Sequence, residues 1–348
     1  MKKVFLIAAA VVALAACSKN EVLPSSSINN EISFNVAPRT KADPEEKTFN
    51  TNNVFASWAY YLPKDSYWGD PAAGVTPQEY IVGRTISYQT DGTWKEKGKT
   101  YYWPKDGGSL TFFAYSLNRD NLKLAGDYSE FTCEAATGIQ GHIDLADNKN
   151  TDFMVAEIAK NKTANEPAHS FNGVPTLFKH KLSKVACTVK KEADYQNVKF
   201  YLKKIEFLSV SHYATYAQIP KDTVAASGTK VAQVYTSENQ EITSTLSPVA
   251  KEDVVIYIPQ KFTEETDLKK ISKIKVTYTI TTTVEGTHGS TTEVEQTVER
   301  EYPIKDKFAE WEMGKKYIFN LTFKLDEILW APAVEPWVDA PAGEITVM

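Results

Sequence analysis

The sequence predicts an all-β protein composed of two tandem antiparallel β-sandwich domains. Many short segments alternate apolar and polar residues with a period of two, as half-buried strands do. Turn-forming Gly, Asp and Pro residues separate these segments, and helix signals are few, with the short stretch 265–271 as a candidate. The length of 348 residues suits two domains of about 150 residues each. We place their boundary near residue 183, giving domains over 40–183 and 184–348.

The first 17 residues, MKKVFLIAAAVVALAAC, have the features of a lipoprotein signal peptide. Two lysines precede an apolar run that is too short to span a bilayer. The run ends in Leu14-Ala15-Ala16-Cys17, which matches the lipobox in which the cysteine thiol receives a diacylglycerol. We therefore expect Cys17 to be lipidated and to anchor the chain at a membrane surface without a spanning helix. An ordinary cleavable signal with a chance cysteine is the alternative.

Residues 18–39 combine a polar tether with a first strand. Segment 18–30 is Ser-rich and aperiodic, as in a flexible linker. In the following residues Ile32, Phe34 and Val36 alternate with polar or small residues, which predicts a strand. Pro38, Arg39 and a polar stretch to about residue 53 follow. This pattern fits an edge strand before a surface loop, or a strand that is removed by cutting.

Strand patterns continue through both halves of the chain. Segment 109–118, SLTFFAYSLN, is almost continuously apolar, which predicts a central strand covered on both faces. Segment 275–304 predicts a long hairpin that turns at Gly286 and Gly289. Segment 314–325 predicts a strand with one apolar face, formed by Tyr317, Phe319, Leu321, Phe323 and Leu325.

Composition and motifs argue against several classes of function. A formal net charge of −5 makes nucleic acid an unsuitable partner. The five histidines lack the spacing of a metal site, and the sequence contains no nucleophile-elbow, phosphate-loop or dinucleotide motif. We therefore predict no cofactor, no metal and no enzymatic activity. Besides Cys17, only Cys133 and Cys187 remain, either as two unpaired core thiols or as one disulfide.

The seven tryptophans could form a platform for stacking on sugar faces. Four of them lie within strand or turn signals, and for these a core position is predicted: Trp58, Trp94, Trp103 and Trp311. His180 lies between two lysines near the predicted boundary, where we expect a structural hydrogen bond rather than catalysis.

Five segments together resemble the fimbrillin family, the type V pilins of Bacteroidales-type bacteria. They are YYWPKDGGSLTFFAYSLN (101–118), TDFMVAE (151–157), LFKHKLSKV (177–185), VIYIPQ (255–260) and WEMGKKYIFNLTF (311–323). Each is a weak signal alone, but they occur in the family's order across nearly the whole chain. They also follow a lipobox and an early arginine.

The resemblance implies transthyretin-like sandwiches and a subunit of a fimbria, or pilus. It implies export as an outer-membrane lipoprotein, palmitate-type acylation at Cys17 and a final location at the cell surface. An Arg-specific protease would cut after Arg39 and make Thr40 the new N-terminus, which removes the first strand. Other fimbrillin subunits, joined head to tail, would be the partners, and adhesion or biofilm formation the role.

The resemblance also places a donor strand at the C-terminus, within residues 328–348. Ile328, Trp330, Val334 and Val338 share one face there, and Ile345 and Val347 form a second alternating stretch. Pro332 and Pro336 lack amide protons and restrict the first stretch to a sheet edge. The alternative is that these are simply the last strands of the C-terminal domain. A tip or anchor adhesin, and a monomeric glycan-binding lipoprotein, are the alternatives to a stalk subunit.

Overall fold

The period-two patterns form strands throughout the part of the chain that a computed structural model describes. The described residues are 30–38, 49, 51–118, 131–146, 152–164, 173–236, 239–249, 255–263, 266–267, 269–325 and 327–336. Within them the fold is all-β, as predicted, and the only helices are the 3-10 turns Thr287–Gly289 and Ile304–Asp306. The described residues of the stretch 265–271 form turns and bends instead of a helix. No helix in these ranges is long and apolar enough to cross a membrane.

The first ten strands precede residue 183. They are β1 (Phe34–Pro38), β2 (Val54–Leu62), β3 (Gln78–Tyr88), β4 (Trp94–Glu96), β5 (Ser109–Asn118), β6 (Phe131–Glu134), β7 (Gly138–Asp144), β8 (Asp152–Ala156), β9 (Ala159–Lys162) and β10 (Val174–His180).

The remaining fourteen strands follow. They are β11 (Ser183–Lys191), β12 (Val198–Val210), β13 (Tyr213–Ala217), β14 (Thr223–Ser227), β15 (Val231–Thr236), β16 (Gln240–Ile242), β17 (Ser247–Pro248), β18 (Val255–Tyr257), β19 (Gln260–Lys261), β20 (Lys273–Glu285), β21 (Thr291–Pro303), β22 (Glu310–Trp311), β23 (Lys315–Phe323) and β24 (Ile328–Pro336).

Seven of the first strands close into a ring. The sheet order is β2-β3-β4-β1-β10-β8-β5-β9, and an additional pairing of β2 with β5 joins the two sides. One buried cluster draws residues from every strand of this ring, among them Phe34, Phe55, Trp94, Phe112 and Phe178, and therefore fills its interior. The ring has no open edge as long as each member strand is in place.

A four-stranded sheet, β14-β13-β7-β6, covers the outside of the ring. Between the two lies a second buried cluster that includes Phe113 and Tyr115 of β5 together with Ile139 and Tyr216. Strand β5 is buried on both faces, as predicted, because Phe112 and Ala114 point into the ring while Phe113 and Tyr115 point to this second sheet. Strands β13 and β14 come from beyond residue 183, so pairing crosses the boundary there. The boundary itself remains a prediction.

Two five-stranded sheets enclose the third buried cluster. One has the order β17-β11-β23-β24 with β18 also on β11, and the other has the order β15-β12-β20-β21 with β16 also on β12. The predicted hairpin is confirmed as β20 and β21, which pair over thirteen residues. Along β23 the predicted apolar face is buried from Tyr317 to Phe323, but Leu325 is 50% exposed because the strand ends at Phe323.

Candidate functional site at the first strand

Strand β1 is the seam that closes the ring. It pairs in parallel with β10 over its five residues, from Phe34 opposite Val174 to Pro38 opposite Phe178. On its other side it meets β4 only at Phe34 opposite Trp94. The residues just before β1 continue this side, because the Ile32 N–H donates to the Tyr101 carbonyl at 2.8 Å. Without β1, both β4 and β10 would have an unpaired edge.

The side chains of this segment fill the ring interior. Ile32 is 3% exposed and Phe34 is 5% exposed, while Val36 is half-buried. The Phe34 ring meets Phe55 and Phe112 edge-on, with centroids 5.4 and 5.8 Å apart. Burying one large apolar side chain contributes about 1.5–3 kcal/mol. Removal of the strand would therefore open an apolar groove, which we call the β1 groove, and would cost several kcal/mol of folding free energy.

Glycine at position 173 allows β1 to come this close. The Val174 N–H donates to the Ser33 carbonyl at 2.7 Å. Gly173 has φ +82°, and a Cβ added there would lie 2.7 Å from the same carbonyl oxygen. Only a residue without a side chain fits both the positive φ and this contact.

A charged cluster holds the outer side of the segment at Glu31. The Lys95 ammonium lies 3.3 Å from Glu31 and 2.8 Å from Asp91. The hydrogen bond to Asp91, and to a lesser degree the one to Glu31, raises the pKa of Lys95. Hydrogen bonds from Lys95 and Thr93 in turn lower the pKa of Asp91 to about 2. Lys95 keeps Asp91 as a partner even if Glu31 leaves.

Phe49 lies close to the end of β1, because both contact the same residue of β10. Its ring is 7% exposed and stacks on Phe178 at 4.8 Å, and Pro38 lies opposite Phe178 in the ladder. The residues that bracket the stretch 39–48 are therefore both held at Phe178. Arg39 and Thr40 lie in that stretch, outside the described residues. Cys17, near the N-terminus, also lies outside the described residues.

The C-terminal segment forms β24, which pairs antiparallel with β23 over nine residues. Ile328 is 3% exposed, whereas Val334 is 49% exposed, so the predicted apolar face leaves the core along the strand. The backbone of Trp330 lies between them in the same strand. Val338, Ile345 and Val347 lie outside the described residues. The donor role of this segment is a prediction that the intramolecular pairing of β24 does not test.

The backbone nitrogens of both prolines in β24 face the outer edge of the strand, away from β23. The Phe323 carbonyl accepts from Glu192 on the side away from β24, and the Ile328 N–H, opposite Phe323, donates to the Tyr302 hydroxyl. Ile328 therefore directs its backbone groups away from β23. Alternate residues of a strand direct these groups to opposite sides, so Pro332 and Pro336 share this outward direction. The outer edge of β24 thus lacks two of its amide donors.

The other residues that the sequence singled out have structural roles. Cys133 and Cys187 are free thiols in two different clusters, and burial raises the pKa of Cys133 to about 12. His180 contacts Asp152 at 3.0 Å in a mostly buried pair. The four tryptophans expected in the core are indeed buried: Trp58, Trp94, Trp103 and Trp311. In the ranges that the structure describes, no group of three His, Cys, Asp or Glu residues could hold a metal ion.

This architecture defines an all-β protein whose ring is closed by a strand near the N-terminus. A fimbrillin-like family model matches residues 40–337, and the chain therefore belongs to the fimbrillin-like family. Membership in this family identifies a fimbrial protein. No curated protein sequence matches the chain significantly.

Solved structures of similar fold include two proteins from Bacteroides species. A fimbrial protein from Bacteroides vulgatus is 18% identical with a TM-score of 0.63, and the alignment covers 89% of this chain and 100% of that one. A putative cell adhesion protein from Bacteroides uniformis is 17% identical with a TM-score of 0.50, with the same coverage. At these identities the similarity establishes the fold.

Proposed function

We propose that this chain is a structural subunit of a fimbria that polymerises by donor-strand exchange after cutting at Arg39. In this proposal the chain is exported to the outer membrane as a lipoprotein acylated at Cys17. An Arg-specific protease then cuts between Arg39 and Thr40, β1 leaves, and a strand of the next subunit enters the β1 groove. The observation that carries the proposal is the position of β1, which closes the ring one residue before Arg39.

The physical basis is the pairing that β1 would leave behind. Loss of β1 together with the residues just before it exposes the places of Ile32 and Phe34 and the free edges of β4 and β10. An incoming strand restores both the burial and the main-chain hydrogen bonds. Repetition of this head-to-tail contact does not close and therefore gives a filament. Adhesion and biofilm formation would be the biological role of that filament.

The proposal predicts that Arg39→Ala blocks processing and filament formation. Lys41→Ala is the matched control, because it alters a neighbouring basic residue that an Arg-specific protease does not read. N-terminal sequencing of surface material should give Thr40 in the parent chain and in the control. Filaments in the Arg39→Ala variant, or a mature N-terminus far from Thr40, would refute the proposal. Loss of acyl-chain labelling in Cys17→Ser tests the lipid anchor.

A stalk subunit and a tip or anchor subunit differ in whether they donate a strand. Deletion of residues 344–348 should stop polymerisation of a stalk subunit and leave a tip subunit able to cap a filament. The monomeric glycan-binding alternative receives little support, because four of the tryptophans that could stack on sugars are at most 7% exposed.

A further inference from the structure

A pocket lies at one end of the ring, where β2 ends and β3 begins. Its volume is about 420 Å³, which falls in the range of small-molecule sites. Tyr61 and Tyr80 line it from these two strands, and both also pack against the buried cluster inside the ring. Residues 104–106, from the loop that leads into β5, also line it. We call this site the ring-mouth pocket.

Hydrogen bonds hold the two tyrosine rings of the pocket in place. The Tyr61 hydroxyl donates to Asp106 Oδ2 at 2.5 Å. The Tyr80 hydroxyl donates to the Tyr102 carbonyl at 2.5 Å. Gly108 leaves room for the first ring, because an added Cβ there would clash with Tyr61. The walls of the pocket are therefore arranged before a ligand binds, which lowers the entropic cost of binding.

Asp106 is a fixed acceptor in this pocket. Its second carboxylate oxygen accepts from the Gly108 N–H at 3.0 Å. The hydrogen bond from Tyr61 lowers the pKa of Asp106, so its carboxylate is charged at neutral pH. A carboxylate has about four lone-pair sites, and these two hydrogen bonds occupy two of them. Asp106 can therefore accept further hydrogen bonds from a ligand.

Three more polar side chains of the pocket have no partner in the protein. Within the ranges that the structure describes, the side chains of Gln78, Glu79 and Lys105 form no hydrogen bond or ion pair. Gln78 lies opposite Tyr61 in the β2–β3 ladder. The Gln78 amide both donates and accepts, the Lys105 ammonium donates and the Glu79 carboxylate accepts. The pocket thus presents unused donors and unused acceptors beside aromatic surface.

The mixture of charges and hydrogen-bonding groups indicates the kind of ligand. The carboxylates of Glu79 and Asp106 disfavour an anion. The Lys105 ammonium disfavours a cation, which is otherwise a common ligand of aromatic sites. Hydroxyl groups both donate and accept, so they match the mixed polar groups of the pocket. The flat C–H face of a sugar ring matches the apolar faces of Tyr61 and Tyr80.

We infer that the ring-mouth pocket binds one residue of a neutral sugar, with the sugar ring against the tyrosines and its hydroxyls on Asp106 and Gln78. This inference goes beyond the proposed function, because it gives the chain a ligand other than further subunits. It does not depend on processing, since the pocket residues lie between positions 61 and 106, after the proposed cut. None of the four buried tryptophans lines the pocket.

The first experiment measures sugar binding to the full chain by ligand-observed NMR. The probes are the methyl glycosides of glucose, galactose, mannose and N-acetylglucosamine, and we expect at least one of them to bind at millimolar concentration. Gln78→Ala should weaken this binding about three- to tenfold, as expected for loss of one hydrogen bond to the ligand. Because the Gln78 side chain has no protein partner, the urea midpoint of this variant should be unchanged. Gln296→Ala is the matched control, since Gln296 is an exposed glutamine of β21 that does not line the pocket.

The second experiment tests the charge of the ligand. Methyl glucuronide, the anionic counterpart of methyl glucoside, and tetramethylammonium should both bind more weakly than the best neutral glycoside. Asp106→Asn should weaken binding of the neutral glycoside. The same variant should narrow the difference between glucoside and glucuronide, because one of the two repelling carboxylates is then absent.

Three outcomes would overturn the inference. The first is that none of the four neutral glycosides binds at millimolar concentration. The second is binding that Gln78→Ala and Asp106→Asn leave unchanged, which would place the sugar elsewhere. The third is tighter binding of either charged probe than of every neutral glycoside. An Arg39→Ala chain should bind the sugar as the parent chain does, so failure of sugar binding and failure of the proposed processing are separate results.

Discussion

Gly173 shows how a single residue determines whether the ring can close. Its positive φ and the 2.7 Å distance from its added Cβ to the Ser33 carbonyl are two separate constraints. The sequence offers only a weak signal for this role, a glycine directly before a β-branched strand. The contact is with a segment about 140 residues earlier in the chain, so spacing along the sequence could not reveal it.

Gly173→Ala should therefore destabilise the chain more than a glycine substitution that meets only backbone strain. Gly98→Ala is the matched control, because Gly98 has φ +93° with no atom within 4 Å of an added Cβ. We expect about 1 kcal/mol of destabilisation from the control and at least about 2–3 kcal/mol from Gly173→Ala in urea unfolding. Equal losses in the two variants would show that β1 does not approach Gly173 closely.

The Asp91–Lys95–Glu31 cluster should make the folding stability depend on pH in the acid range. The folded-state pKa of Asp91 is lowered to about 2, below its ordinary value of 3.8. A lowered carboxyl pKa means that its stabilising contribution is complete above pH 4 and is lost as pH falls toward 2. Asp91→Asn should therefore make stability less sensitive to pH in this window. Urea midpoints at pH 5 and pH 2.5 measure the effect, and parallel losses in parent and variant would contradict it.

At the scale of elements, the sequence predicted strands well where apolar and polar residues alternate along one segment. The two-sided burial of β5, the β20–β21 hairpin and the buried face of β23 all follow from sequence alternation. The pairing of β13 with β7 could not be predicted, because β13 is a short strand and its partner lies about 70 residues away. Ring closure by β1 depends on an even longer separation.

The candidate site was predictable in part for the same reason. The alternation of Ile32, Phe34 and Val36 is visible in the sequence, and so is the neighbouring Arg39. Lys95, Gly173 and Phe49 were missed, because each becomes part of the site only through long-range contacts. Phe49 is a lone aromatic residue in a polar stretch, which is the one sequence signal that could have indicated it.

The two prolines of β24 are expected to protect its outer edge from pairing with other molecules. Pro332→Ala together with Pro336→Ala restores two outward amide donors and should allow neighbouring molecules to add strands at this edge. We expect increased light scattering or larger species on sedimentation at high protein concentration. The control is Ala331→Ser with Ala333→Ser, which leaves the prolines and the outward amides unchanged. Unchanged association in the proline variant would mean that another feature protects the edge.

For the whole molecule, β1 and the residues just before it contribute a part of the folding stability that removal of the segment would take away. Burial of Ile32 and Phe34 corresponds to about 3–6 kcal/mol, which is a large fraction of the stability of a typical protein. A chain lacking residues 18–39 should therefore unfold at a clearly lower urea concentration than the full chain. Deletion of residues 18–29 alone is the control, because it retains the strand. Equal midpoints for the two deletions would show that the ring does not depend on β1.

The closed ring also affects when assembly between molecules can begin. A chain that keeps β1 offers its neighbours no free edge at the seam, however high the protein concentration becomes. If subunits assemble by the proposed strand exchange, concentration alone cannot start assembly, whereas hydrolysis of one peptide bond starts it and is practically irreversible. The start of filament growth would thus depend on a protease outside the molecule. Until that cut, the subunits would be folded but unable to assemble.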